Sequence, residues 1–270
     1  MKSKGGNGMK KACVTLLAVL MSCTFMASCQ KMAAEETTVS SESETSQEDD
    51  GISVGDKIEF GNYPQKKNPE TDKCDTEPIE WRVLEIRDGN ALVISEYLLD
   101  ATTYYYDMAD VTWETSSLRK WLNSKFYDAA FSESEKSLIV TTKIQNKDNP
   151  LYGTPGGNDT EDNVFCLSLE EAQTYFKDAD DRKAAPTDYA LMKGAAVSDD
   201  CKLANGMKTG WWWLRSPASS SNRAADADCY GNIDTVKNAD GVDGDMVFAE
   251  SNCVRPVVWI KLTDSVKEVG

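Results

Sequence analysis

The chain has 270 residues and a formal net charge of −16 at pH 7, and it contains no histidine. The charge argues against nucleic acid as a partner, because phosphate binding depends on Lys and Arg side chains that displace counterions. The missing histidine excludes Ser-His-Asp and Cys-His mechanisms and His-ligated zinc, which leaves an enzyme only carboxylate, lysine, tyrosine or thiol chemistry.

The first 28 residues have the features of a bacterial lipoprotein signal peptide. Several lysines precede an apolar run at residues 12–25, which is shorter than the roughly 20 residues that cross a bilayer. Small residues then precede Cys29, in an arrangement that resembles a lipobox. We predict a signal peptide over residues 1–28 and a lipid on Cys29 that anchors the protein outside the cytoplasm on the bacterial cell membrane. The alternative is an ordinary signal peptide with a chance cysteine.

Residues 29–50 have the composition of a disordered tether. Between Ala33 and Asp50 there are seven carboxylates, no basic residue and many Ser and Thr residues. Such a segment buries too little apolar surface to offset its ordering entropy, and its charges keep it extended. We therefore predict that it holds a folded domain, residues 51–270, away from the anionic membrane surface.

Five of the eight cysteines fall in the predicted domain: Cys74, Cys166, Cys201, Cys229 and Cys253. No C-x-x-C spacing occurs, so zinc and redox motifs lack support. An odd number leaves at least one free thiol. A disulfide between Cys229 and Cys253, which flank a candidate strand pair, is one hypothesis, and buried free cysteines are the alternative.

The N-terminal part of the domain has the pattern of strands. Alternating apolar residues predict a strand at 54–65 and a hairpin at 79–95, whose turn is Asp88-Gly89-Asn90, and residues 66–77 are predicted to be a polar loop.

Helix patterns follow in the middle of the chain. An apolar stripe at helical spacing predicts a helix at 118–126, and two capping boxes, Ser132 with Glu135 and Ser168 with Glu171, predict further helix starts. A loop rich in Gly and Pro is predicted at 147–163, a strand at about 164–167 and a short helix at about 187–195.

Strand patterns return at residues 211–214, 230–236, 246–249 and 254–260. The sequence therefore predicts one α+β domain in which antiparallel strands from both ends of the chain enclose inserted helices.

Three consecutive tryptophans at 211–213 are the first candidate for a binding site. Successive side chains of a strand point to opposite faces, so Trp212 faces away from its two neighbours. We predict that an exposed Trp212 with Arg215 and Arg223 stacks on a sugar or a peptide side chain, unless helices cover both faces of the sheet. Arg215 and Arg255 lie in apolar strands, where buried ion pairs with Asp or Glu are the more ordinary role.

The segment "NADGVDGD" is a candidate calcium loop. Asn238, Asp240, Asp243 and Asp245 offer oxygen ligands at short spacing, which suits a hard cation. The bidentate Glu at EF-hand spacing is missing, and an ordinary hairpin turn is the alternative. Calcium is the only cofactor that the sequence suggests.

The motifs "GDKIEFGNYPQ", "TWETSSLRKWLN", "VFCLSLEEAQTYF", "WWWLRSP" and "CVRPVVWIKL" occur in this order. Together they resemble a bacterial family of secreted and surface proteins, domain of unknown function 6273, over about residues 54–262. "WWWLRSP" and the closing strand are also similar to the C-terminal half of C-type-lectin-like and formylglycine-generating-enzyme-like folds. The second resemblance implies a lectin-like scaffold, whose last strand pairs with its first, and favours binding over catalysis.

We therefore expect a cell-surface lipoprotein whose extracytoplasmic domain is a binding module for a glycan, a peptide or a surface protein. A cell-envelope enzyme that uses carboxylates or a thiol is the first alternative. A structural component of a surface assembly is the second.

Overall fold

The structure is a computed structural model, and it describes residues 51–234, 236, 240, 243–263 and 266. The fold is α+β, with many strands and a few short helices, and most of its strand pairs are antiparallel. The strands are β1 (Lys57–Lys67), β2 (Cys74–Arg87), β3 (Asn90–Ser95), β4 (Asp100–Ala101), β5 (Thr142–Ile144), β6 (Thr160–Asp162), β7 (Val197–Lys202), β8 (Lys208–Gly210), β9 (Trp212–Pro217), β10 (Arg223–Ala227), β11 (Asp245–Met246), β12 (Cys253–Val254) and β13 (Val257–Lys261). The helices are α1 (Ser117–Trp121), α2 (Tyr127–Ala130), α3 (Glu133–Lys136), α4 (Leu169–Tyr175), α5 (Ala179–Arg182) and α6 (Asp188–Met192).

The first sheet joins the two ends of the domain in the order β1-β2-β3-β13. The predicted hairpin is confirmed, and its two-residue turn has positive φ angles at Asp88 (52°) and Gly89 (73°), as a type I′ turn requires. Strands from both ends of the chain share this sheet, as predicted. However, β1 and β13 lie at opposite edges, so the direct pairing of first and last strands that the lectin-like resemblance implied is wrong.

The second sheet has the order β11-β10-β9-β12-β4 and contains the tryptophan-rich strand β9. Strand β12 runs parallel to β9, and the other pairs are antiparallel. Side chains from both sheets and from the inserted helices form one continuous core. This core includes Trp81 and Trp113 as well as Trp212 and Trp213, so most of the tryptophan content of the chain stabilises the fold.

The predicted helix at 118–126 is confirmed, although it continues further. α1 passes into a π-helical turn, Leu122–Phe126, and then into α2, and a 3₁₀ turn, Trp113–Thr115, precedes it. Both capping boxes are also confirmed, because the Ser132 and Ser168 hydroxyls accept from the backbone N–H three residues later while the glutamates accept in return. These local signals could be read reliably because all their partners lie within one turn of helix.

Several predicted boundaries are wrong. Residues 66–77 are not all loop, because β1 extends to Lys67 and β2 begins at Cys74. Residues 164–167 form no strand beyond one bridge from Phe165 to Val257, and none of the described residues at 230–236 lies in a strand. The strand that pairs with β9 is β10 instead, Arg223–Ala227. The sequence did not predict this strand, because its small and polar residues are typical of a loop. Pairing with β9 decides its conformation, which local propensity could not reveal.

The disulfide hypothesis is also wrong in its pairing. Cys229 forms a disulfide with Cys201. Cys166 and Cys253 are buried free thiols, and Cys74 is a free thiol that is partly exposed. Cys253 lies in β12, where it packs into the core beside β9. Among the described residues, no helix is long and apolar enough to span a membrane.

Candidate functional site

The tryptophan strand offers no exposed aromatic ring at Trp212. Trp212 and Trp213 are both 0% exposed, and Trp211 is only half-buried. The expectation of a solvent-facing Trp212 is therefore wrong, because the sheet is covered on both faces. Trp213 donates its indole N–H to the Thr102 carbonyl at 2.8 Å on one face, and Trp212 contacts the ring of Phe176 on the other.

Trp212 instead forms part of a cage around a buried arginine. The Cζ atom of Arg255 lies 5.2 Å from the ring centroids of both Trp212 and Phe176. Arg255 donates to the carbonyl oxygens of Ser95 (2.9 Å) and Arg182 (3.0 Å) and forms no ion pair with a described residue, so the predicted carboxylate partner is wrong. Burial and then the charge of Arg82 lower the pKa of Arg255 to about 9, so the guanidinium stays protonated at neutral pH.

Arg215 has the carboxylate partner that the sequence predicted. Its Nη2 lies 2.7 Å from Oε1 of Glu171, and its Nη1 contacts Oε2 of the same carboxylate. Nη1 also donates to the carbonyl of Cys166 at 2.9 Å. Arg215 is 4% exposed, and Glu171 is the capping-box residue of α4, so one carboxylate both caps the helix and neutralises the arginine.

Arg223 and Trp212 do not join Arg215 in one site. Arg223 donates from Nη1 to the carbonyl of Gly244 at 2.6 Å and thereby holds the chain next to β11. The contacts of Trp212 are with Phe176 and Arg255, as described above. The predicted trio is therefore distributed over three different surroundings, and Arg215 is the member that borders the cleft described next.

Three of the four candidate calcium ligands, Asp240, Asp243 and Asp245, lie among the described residues. Asn238 lies outside the described residues. Asp243 is buried, where its backbone and side chain bond to Ser219 and to the hydroxyl of Tyr152, and Asp245 lies in β11. Among the described residues, no group of three Asp, Glu or Cys side chains could hold a metal ion. Calcium binding by this loop therefore stays a prediction from the sequence.

A cleft of about 710 Å³ lies between α4, the end of β9 and the loop after β5, and we call it the Arg215 cleft. Its lining consists of Gln145, Asn146, Lys147, Asp148, Pro150, Leu151, Ser168, Leu169, Glu170, Glu171, Gln173, Thr174, Tyr175, Arg215, Ser216, Pro217 and Asp234. The volume lies within the range of ordinary ligand sites.

Hydrogen bonds hold both walls of the Arg215 cleft in place. On the loop side, Asn146 Nδ2 donates to the Asn158 carbonyl at 2.8 Å, and Asp148 accepts from the Gly156 N–H at 3.0 Å. On the helix side, the Leu169 N–H donates to Ser216 Oγ at 3.0 Å. Two buried polar atoms, Asn146 Oδ1 and Arg215 Nε, have no hydrogen-bond partner in the described part of the chain.

The free thiols of the described residues and the Asp234 carboxyl all have raised pKa values. Burial raises the pKa of the Cys166 thiol to about 12, although Arg215 opposes this, and burial also raises the pKa values of Cys74 and Cys253. None of these thiols is activated as a nucleophile, which would require a lowered pKa. Burial also raises the pKa of Asp234, which lines the cleft.

The sequence identified individual residues of the Arg215 cleft but not the segments that form its walls. Arg215 and the capping residue Glu171 were each identified, yet nothing in the sequence indicates that they form a pair. The wall from Gln145 to Leu151 overlaps the loop predicted at 147–163, which was identified only as rich in Gly and Pro. Its position beside α4 depends on tertiary contacts with residues far away in the sequence.

The family model for a domain of unknown function (DUF6273) matches residues 88–262, which is more than half of the chain. The chain belongs to the DUF6273 family. The match contains the whole Arg215 cleft, whereas β1 and β2 both precede it, so it begins later than the resemblance at residue 54 suggested. No curated protein and no solved structure matches the chain. The DUF6273 membership supplies a family but no activity.

Proposed function

We propose that this DUF6273 protein is a lipid-anchored, extracytoplasmic binding module whose Arg215 cleft takes a polar ligand, either a glycan or a peptide. The observation that carries the proposal is the cleft itself, with about 710 Å³ of space beside the ion pair between the buried Arg215 and the half-buried Glu171. Ligand sites are concave and combine apolar walls with a few fixed polar groups.

The cleft lining has the chemistry to recognise hydroxyl and amide groups. Exposed amides at Gln145 and Gln173 both donate and accept hydrogen bonds, and the half-buried ring of Tyr175 and the side chain of Leu151 supply apolar surface. Tyr175 is held in position by donating its hydroxyl hydrogen to Glu85 Oε2 at 2.6 Å. A ligand with alternating polar and apolar faces, such as a sugar chain or a peptide, matches such walls.

The charges of the cleft favour a neutral or cationic ligand over an anion. Its two cations are already paired, Arg215 with Glu171 and Lys147 with Glu170 at 2.6 Å. The carboxylates of Asp148 and Asp234 form no ion pair with described residues. An anion would therefore have to enter a site whose remaining charge is negative.

The test is thermal unfolding of the full chain with neutral oligosaccharides, cell-wall fragments and short peptides. A ligand that binds only the native state stabilises it by mass action and so raises the melting temperature. At a ligand concentration 100 times its Kd, the gain in the free energy of unfolding is about 2.7 kcal/mol. Gln145→Ala and Gln173→Ala should remove the shift, since both side chains are exposed in the cleft. Lys177→Ala is the matched control, because Lys177 is exposed just beyond α4 and does not line the cleft. No shift with any member of the panel would contradict the proposal.

A carboxylate-dependent envelope enzyme is the second candidate, and Asp234 favours it. Burial raises the pKa of Asp234, and a cleft carboxyl with a perturbed pKa is a candidate for proton transfer. Asp234→Asn should then abolish release of product from a cell-wall substrate while leaving its binding intact. Unchanged turnover in this variant would exclude the role of Asp234.

The proposal includes the signal peptide, the lipid anchor on Cys29 and the acidic tether. These segments fall within residues 1–50, which lie outside the described part of the chain. Their support is the sequence pattern, which places a lipobox-like cysteine between an apolar run and an acidic segment. A C-type-lectin-like scaffold is a further part of the proposal. It is supported by the shared sheet of the terminal strands and weakened by their positions at opposite edges.

A further inference from the structure

A second groove lies beside the helix that contains the π-helical turn, and it shares no residue with the Arg215 cleft. We call it the Tyr106 groove. Its volume is about 360 Å³, and the side chains that matter below are Tyr106, Ser117, Lys120, Trp121, Ser124 and Lys125. It lies beyond the proposed function, because that function concerns only the cleft.

The groove offers an aromatic surface to the solvent. Tyr106 is 72% exposed, and its ring lies 4.4 Å, centroid to centroid, from that of Tyr105. The hydroxyls of the two tyrosines are hydrogen-bonded at 3.1 Å. On the helix side, the half-buried ring of Trp121 packs against Phe126 at 5.4 Å. Tyr106 therefore presents a large part of its ring to the solvent, as a surface on which a ligand ring can stack.

The charge of the groove is opposite to that of the chain. The chain has 45 acidic and 29 basic residues, yet the groove is lined by Lys120 and Lys125 and by no Asp or Glu. Both lysines are exposed, and neither forms an ion pair with a described residue. Asp107 follows Tyr106 in the chain, but its carboxylate accepts from the Met108 N–H at 2.8 Å and does not line the groove.

Both lysines line the groove although they are five residues apart, and the π-helical turn that contains Lys125 widens the helix between them. Residues five apart in an α-helix project about 140° away from each other. A π turn closes its hydrogen bond between residues i and i+5 and so brings such residues to the same side. Two side-chain hydrogen bonds support the widened turn. Asn123 Nδ2 donates to the Arg119 carbonyl at 3.1 Å, and Ser124 Oγ donates to the Lys120 carbonyl at 2.6 Å.

The hydroxyls of the groove are prepared to accept hydrogen bonds. Ser117 Oγ donates to the Tyr104 carbonyl at 3.1 Å, and the Ser124 hydroxyl is used in the same way. Each oxygen retains lone pairs, so both serines can accept from hydroxyl groups of a ligand.

We propose that the Tyr106 groove is a binding site for an acidic glycan, a sugar chain whose rings carry carboxylate or phosphate groups. The apolar face of a sugar ring stacks on Tyr106, its hydroxyls donate to Ser117 and Ser124, and its anionic groups contact Lys120 and Lys125. A nucleic acid or an anionic bilayer would present much more negative charge to a chain of net charge −16, and both are therefore disfavoured as occupants.

The experiment is calorimetric titration of the full chain with three probes: an oligogalacturonate, its methyl ester and a glycerol phosphate oligomer. The oligogalacturonate should bind, and its methyl ester, which keeps the rings but lacks the charge, should bind about tenfold more weakly, given two exposed ion pairs. The glycerol phosphate oligomer has phosphate charge but no sugar ring, so it should bind more weakly than the oligogalacturonate because it cannot stack on Tyr106. Binding of this oligomer as tight as that of the oligogalacturonate would contradict the role of the ring.

Variants separate this site from the cleft. Lys120→Gln with Lys125→Gln should weaken oligogalacturonate binding about tenfold, whereas exposed lysines elsewhere, Lys66→Gln with Lys73→Gln, should leave it within twofold. Tyr106→Ala should abolish binding, and Tyr106→Phe, which keeps the ring, should retain it. Equal binding by the methyl ester, no effect of the paired lysine variant, or binding to anionic vesicles without binding to the oligogalacturonate would each overturn the proposal. Because Gln173→Ala changes only the Arg215 cleft, it should not affect this titration.

Discussion

The pair of Arg215 and Glu171 should be the main determinant of stability around the cleft. Replacing Arg215 by Met retains most of the aliphatic stem and removes the guanidinium, together with its bonds to Glu171 and to the Cys166 carbonyl. The variant therefore leaves Glu171 without its cation while it still accepts from the Ser168 N–H at 2.9 Å. Arg215→Met consequently probes the charge and not the packing.

The magnitude follows from the burial of the two partners. Removing one member of a buried ion pair costs about 3–5 kcal/mol. Arg215 is 4% exposed, but the side chain of Glu171 is 31% exposed, so water can solvate part of the remaining charge. We therefore expect about 2–3 kcal/mol of lost stability. For a domain of this size, that loss lowers the melting temperature by about 4–12 °C.

The assay is urea and thermal unfolding of wild type, Arg215→Met, Glu171→Gln and the double variant. The double variant should be less destabilised than the sum of the single ones by at least about 1 kcal/mol, because residues in contact couple. Arg223→Met is the control, since among the described residues it loses one side-chain bond, to a backbone carbonyl, and should cost about 1 kcal/mol. If Arg215→Met costs no more than Arg223→Met, or if the two changes at the pair are additive, the reasoning is refuted.

Three further predictions concern other parts of the chain. Cys29→Ser should abolish metabolic labelling with a radioactive fatty acid and release the protein from the membrane fraction; continued labelling would contradict lipid attachment there. Cys229→Ser should cost about 3–4 kcal/mol by opening the 28-residue loop to Cys201, while Cys253→Ser, at a free thiol, should cost clearly less in the same denaturation assay. Burial and neighbouring carboxylates raise the pKa of Asp226, so its ionisation at neutral pH opposes folding. Asp226→Asn should therefore raise the melting temperature at pH 7.5, and this gain should fade as the pH falls through the raised pKa towards 4; a gain that does not change with pH would argue against this explanation.

Local signals in the sequence predicted local structure well. The Asp88-Gly89 turn, the capping boxes of α3 and α4 and the apolar stripe from Leu118 to Phe126 each depend on residues a few positions apart. The stripe did not reveal the π-helical turn, because one wider turn changes the helical period too little to be visible in so short a segment.

Contacts between distant segments could not be predicted. Arg215 and Arg255 have the same sequence context, a single arginine in an apolar strand, yet one pairs with Glu171 and the other is held by two carbonyl groups and two aromatic rings. The difference depends on which helix covers each arginine. For the same reason the partner of Cys229 is Cys201, which the spacing of the cysteines did not indicate.

The candidate site was predictable only in part. Strand alternation correctly placed Trp212 and Trp213 on opposite faces, but whether a face is exposed depends on what packs against it. The walls of the Arg215 cleft come from the loop after β5 and from α4, which only the fold brings together. The Tyr106 groove combines a loop and a helix in the same way.

The central claim is that the Arg215 cleft binds a polar ligand, and hydrogen–deuterium exchange of the full chain tests it most directly. With the ligand that gives the largest thermal shift, we predict slower exchange at residues 145–151 and 168–175, the two walls of the cleft, and little change around Tyr106. Protection that is absent from both walls, or confined to another surface, would contradict the account.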